Sequence, residues 1–66
     1  MLVNTVFKES DGISMRAEIH QTDNGLEIRY FGPSGMFKVE SFPNNSIYYV
    51  TEAAENWVSG IKVLNG

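Results

Sequence analysis

The sequence predicts an α+β fold in which an antiparallel β-meander of four strands is followed by one C-terminal α-helix packed on one sheet face. From Ile13 to Val39 apolar and polar residues alternate, as in strands with one buried and one solvent-facing side. Later apolar residues instead follow the helical spacing i, i+3, i+4, i+7 and i+10: Ala54, Trp57, Val58, Ile61 and Leu64. No linker, repeat or charge run divides the chain, so residues 1–66 are expected to form one small domain.

The first strand, residues 2–8, is predicted to lie at the sheet edge beside the second strand. Either of two apolar pairs could face the core: Leu2/Val6 or Val3/Phe7. A three-residue loop at Ser10–Gly12 would pair Phe7 with Met15, which favours burial of the larger pair.

The next two strands, residues 13–20 and 26–31, are predicted to form a hairpin around Asn24-Gly25. This dipeptide is typical of a type I′ turn, because both central residues of that turn need positive φ. The turn would place Ile19 opposite Tyr30, with the apolar residues of both strands on one face.

A second turn at Gly32-Pro33-Ser34-Gly35 leads into the fourth strand. It would place Tyr30 opposite Phe37 and Ile28 opposite Val39 on the inner face. The outer face would then carry a checkerboard of charges: Arg16, Arg29, Lys38, Glu18, Glu27 and Glu40.

The same register pairs Phe31 with Met36 on the outer face, next to the turn. An apolar pair at this position either packs against the turn or belongs to a contact surface for a protein partner. We therefore assign a candidate protein-interaction site to Phe31, Pro33, Ser34 and Met36.

The segment Ile47–Val50 is β-prone and is expected to be extended, as a candidate fifth strand, before Thr51 caps the helix. The first helical turn would carry two acidic residues, Glu52 and Glu55. Gly60 would either end the helix or be tolerated inside it. The apolar stripe favours continuation to about Leu64.

No catalytic or metal-binding signature follows from these residues. The chain has no cysteine and one histidine, His20, on the outer face, so zinc lacks a ligand set and the imidazole is interpreted as solvated. The turn at Gly32–Gly35 lacks the lysine of a P-loop and the spacing of a nucleophile elbow. We expect no enzymatic activity, no cofactor and no bound metal.

Charge and composition narrow the range of partners. The net charge of −3 disfavours nucleic acid and anionic membranes. The start of the chain does not resemble a signal peptide, and there is no apolar stretch of membrane-spanning length, which predicts a cytoplasmic protein. A chain of 66 residues without disulfides or metals has a marginal core, so a homo-dimer or higher oligomer is expected.

Residues 46–62 read Ser-Ile-Tyr-Tyr-Val-Thr-Glu-Ala-Ala-Glu-Asn-Trp-Val-Ser-Gly-Ile-Lys. This stretch resembles the carboxyl end of small proteins from tailed phages of marine bacteria, which implies an accessory protein that acts in a host cytoplasm. Three strands followed by a helix opening Thr-Glu-Ala-Ala also resemble the plant ethylene-response type of DNA-binding domain, whose basic sheet face this acidic chain lacks. We predict a non-enzymatic protein-binding module, in its sharpest form a modulator or inhibitor of a host protein. A nucleic-acid-binding module and a self-assembling structural subunit are the alternatives.

Overall fold

In the computed structural model, which describes residues 1–60, the chain has the predicted α+β architecture. Four antiparallel strands lie in chain order in one open sheet: β1 (Leu2–Ser10), β2 (Ile13–Thr22), β3 (Gly25–Gly32) and β4 (Gly35–Phe42). One helix, α1 (Ile47–Ser59), packs across β1, β2 and β3. Within residues 1–60, the opposite face of the sheet carries no helix.

The core lies between α1 and one face of the sheet. Its buried apolar residues are Ala17, Ile19, Leu26, Ile28, Tyr30, Phe42, Val50, Ala54, Trp57 and Val58. Trp57 packs edge-on against Tyr30, with ring centroids 4.7 Å apart, and lies 5.8 Å from the ring of Phe37. These contacts confirm that Trp57 joins the helix to the sheet. Ile61 and Leu64, predicted to continue the apolar stripe, lie outside the described residues.

The hairpin of β2 and β3 has the predicted faces but a different register. Ile19 pairs with Ile28 rather than with Tyr30, a shift of two residues. Positive φ occurs at Gly25 (108°) but not at Asn24, so the turn is not the predicted type I′ turn. Because side chains alternate with a period of two, this shift leaves both apolar sets on the core face.

β1 is the predicted edge strand, but it pairs one residue away from the predicted register. A two-residue turn at Asp11-Gly12, with φ of 54° and 78°, pairs Phe7 with Arg16 rather than with Met15. A one-residue shift turns every side chain to the other face. As a result Val6 packs against the core and Phe7 is 59% exposed on the opposite face.

β4 contains a bulge at Phe37 that its sequence pattern does not reveal. Tyr30 pairs with Lys38 instead of Phe37, so the side chains after the bulge face the opposite side of the sheet from the predicted one. Glu40 lies on the core face, where the Tyr30 hydroxyl donates a hydrogen bond to its carboxylate over 2.7 Å. The predicted outward positions of Lys38 and Glu40 are therefore wrong, and Val39, predicted inward, faces outward.

α1 begins five residues earlier than predicted. The Ser46 side chain accepts a hydrogen bond from the Tyr49 backbone N–H at 3.2 Å, so Ser46 rather than Thr51 is the N-cap. The segment Ile47–Val50 is helical and not a fifth strand, because Val50 is fully buried one turn before Ala54. Glu52 and Glu55 consequently lie beyond the first turn.

The carboxyl end of α1 is set by Gly60. This glycine has a left-handed φ of 80°, and its N–H donates to the carbonyl oxygens of Asn56 and Trp57. The helix therefore ends at Ser59 rather than running through Gly60 towards Leu64.

Candidate functional site

The candidate surface is the sheet face opposite α1, which we call the open face. Antiparallel pairing arranges its side chains in three rows that cross the four strands from β1 to β4. The rows are Phe7, Arg16, Phe31 and Met36; Thr5, Glu18, Arg29 and Val39; and Leu2, His20, Glu27 and Ser41. Two of the three side chains on each edge of the open face are apolar, and five of the six on the two central strands are ionisable, Phe31 being the exception.

The apolar edges are solvent-exposed. Phe7 and Leu2 on β1 are 59% and 51% exposed, and Met36 and Val39 on β4 are 55% and 48% exposed. Between the edges, the Arg16 guanidinium lies over the Phe31 ring, 4.0 Å from its centroid. This cation–π contact partly buries the Phe31 ring. The guanidinium and the ring form a stack at the centre of the first row, with one charged and one apolar member.

The charged side chains of the open face pair along their own strands. Glu18 contacts His20 Nε2 at 2.9 Å and Arg16 Nε at 3.1 Å, the latter an ion pair without hydrogen-bond alignment. On β3, Arg29 donates to Glu27 at 2.6 Å. The His20 side chain is only 13% exposed, so its interpretation as a solvated imidazole is wrong. On the two central strands Arg16, Glu18, Arg29 and Glu27 follow one another with alternating charge, so the described residues of this face form no basic stripe.

The four residues predicted as an interaction site lie together at one end of the open face. Phe31 pairs with Met36 across β3 and β4, as predicted. Pro33 and Ser34 are exposed in the turn that joins these strands. The sequence missed Phe7, the third apolar side chain of this row, because its strand register was predicted one residue out.

The helix does not cover this site. Tyr49 lies 6.1 Å from the Phe42 ring on the helix side, and Tyr48 is 83% exposed there. Neither tyrosine therefore shields Phe31 and Met36, because both tyrosines lie on the other side of the sheet.

The remaining chemistry of the described chain is sparse. Among residues 1–60 no group of three histidine or acidic side chains could hold a metal ion. Over the same residues, no helix has both the length and the apolar character needed to cross a membrane. Comparisons of the chain with protein-family models, curated proteins and solved structures give no match.

Proposed function

We propose that this protein is a non-enzymatic protein-binding domain that contacts its partner through the open face. The observation that carries the proposal is the group of half-exposed apolar side chains around the Arg16–Phe31 stack, on a face that no described element covers. Contiguous exposed apolar surface is typical of interaction sites. Aromatic residues, methionine and arginine are also the residue types enriched there.

The end of the open face formed by Phe31, Met36 and the Pro33-Ser34 turn is the expected centre of contact. A tight turn restrains the backbone here, so Met36 is presented with little loss of chain entropy on binding. A flexible, polarizable methionine next to an aromatic ring adapts to an apolar pocket on a partner. The role of modulator of a host protein rests on the resemblance of residues 46–62 and remains a prediction.

Nucleic-acid binding has less support. Arg16 and Arg29 each contact a glutamate of their own strand, so neither is a free phosphate ligand. The net charge of −3 also opposes the counterion release that drives polyanion binding.

An affinity-capture experiment tests the proposal. The wild type, a Met36→Ser variant and a Tyr48→Ser control would be incubated with lysate of the source organism, and circular dichroism would verify that all three fold. We expect a protein bound by the wild type and by the control to be lost with Met36→Ser. Equal capture by all three would contradict the proposal, and capture abolished by nuclease would favour the nucleic-acid alternative.

A further inference from the structure

We propose that the open face also binds a second copy of this chain, in a two-fold dimer in which β2 of one copy lies against β3 of the other. This inference rests on the proposed function in that it uses the same face. It goes further because it names one occupant and the geometry of the contact. The argument depends on how the three rows of the open face match their own copy.

Only two arrangements around a two-fold axis align the strands of two copies and superpose all three rows of the open face. An axis perpendicular to the strands superposes the rows only when it passes through the middle row; it then places β2 on β2, so Glu18 faces Glu18 and Arg29 faces Arg29. An axis parallel to the strands places β2 on β3 and keeps the rows aligned. Glu18 then faces Arg29 of the second copy, and this contact occurs twice. Like charges oppose the first arrangement and opposite charges favour the second.

The other two rows also match in the parallel-axis arrangement. It places β1 on β4, so the exposed Phe7 ring meets Met36 of the second copy twice. In the third row His20 faces Glu27 of the second copy. The strands of the two copies need not be parallel. Packed sheets cross at about −30°, and the two-fold symmetry is kept when each sheet is turned within its own plane by half that angle from the axis.

The area of the open face limits the size of the dimer interface. Four strands about 4.8 Å apart and about eight residues long cover about 19 by 26 Å, or about 500 Å² on each copy. The pair would bury about 1,000 Å², which lies at the lower limit for a specific interface. We therefore infer a weak, concentration-dependent dimer that hides the open face and releases it on dilution or when a partner competes.

A charge exchange tests this geometry. Glu18→Arg alone and Arg29→Glu alone each place like charges at both symmetric contacts, so each variant is expected to dimerise about 100-fold or more weakly than the wild type. In an equimolar mixture a Glu18→Arg chain can pair with an Arg29→Glu chain. In this heterodimer position 18 and position 29 again carry opposite charges at both symmetric contacts. Sedimentation velocity across a dilution series should show heterodimers in the mixture and monomers of each variant alone. Glu52→Arg, an exposed position on α1, is the matched control and should dimerise like the wild type.

Both exchanged residues also pair within their own chain, so circular dichroism must show that each variant folds. If one does not, Phe7→Lys and Met36→Glu provide a second pair at exposed edge positions, and their mixture should dimerise more strongly than either alone. A monomeric wild type at every concentration, unweakened single variants, or a mixture that does not recover would each overturn the dimer. Partner capture that depends on Met36 would survive such a failure. Conversely, a dimer that passes this test while capture ignores Met36→Ser would refute only the proposed function.

Discussion

Truncation of Trp57 to alanine should remove a large part of the stability of the fold. The side chain is 8% exposed and packs against Tyr30 at 4.7 Å and Phe37 at 5.8 Å. Burial of about 200 Å² of aromatic surface at about 25 cal/mol per Å² corresponds to about 5 kcal/mol. Truncations of buried tryptophan typically cost about 3–5 kcal/mol. A domain of this size has a free energy of unfolding of about 3–10 kcal/mol, so the variant should lose about a third of its stability at the upper end of this range and be unfolded at the lower end.

Urea unfolding measures this effect, with far-UV circular dichroism as the signal because the variant has no tryptophan to fluoresce. Tyr48→Ala is the control, since that aromatic side chain is 83% exposed and should be lost with little change in midpoint. Trp57→Phe keeps an aromatic ring in the site and is expected to unfold at an intermediate urea concentration. Equal midpoints for Trp57→Ala and Tyr48→Ala would refute the anchoring role.

Three further predictions concern the core, a turn and the helix start. Burial and a hydrogen bond to a carboxylate raise the pKa of Tyr30. The free energy of unfolding should therefore fall as pH rises above about 10, the pKa of tyrosine in the unfolded chain. Tyr30→Phe should weaken this pH dependence, and an unchanged dependence of unfolding free energy on pH would contradict the prediction. Gly25→Ala should lower the urea midpoint more than Gly35→Ala. Both glycines have φ near 108°, but only at Gly25 would the new Cβ lie 2.7 Å from a backbone atom, the Cα of Pro43. Equal losses of stability in the two variants would exclude that clash. Ser46→Ala should cost about 0.5–2 kcal/mol in thermal unfolding, whereas the larger loss would come from Thr51→Ala if the helix began there.

The sequence predicted the strands and the helix because periodicity is a local property. Alternation from Ile13 onward requires one face to be buried, and the recurrence of apolar residues after Ala54 requires a helix, whatever each element packs against. The predicted start of the helix was wrong for a related reason. The β-propensity of Ile47–Val50 was outweighed by a better N-cap at Ser46 and by complete burial of Val50 in the core.

The candidate site was predicted in part, and the errors follow the strand registers. The β2–β3 register differs by two residues and keeps its faces, so Ile19 and Ile28 stay in the core. The β1 register differs by one, which carries Phe7 to the open face. Phe31 and Met36 lie between the turn and the bulge, where the predicted pairing still holds.

By itself the sequence determined the order and type of the elements, the position of Trp57 on the core side, and the pairing of Phe31 with Met36, because local periodicity and turn chemistry suffice for these features. Only the tertiary structure decided which side chains form the rest of the open face. The bulge at Phe37 sends Glu40 to the core and Val39 outward. A bulge inserts one extra residue into one strand of a pair, so every later side chain of that strand faces the opposite side of the sheet. The sequence pattern of the strand does not show this change. At the bulge Tyr30 and Phe37 both contact Trp57, and those contacts exist only once helix and sheet have come together.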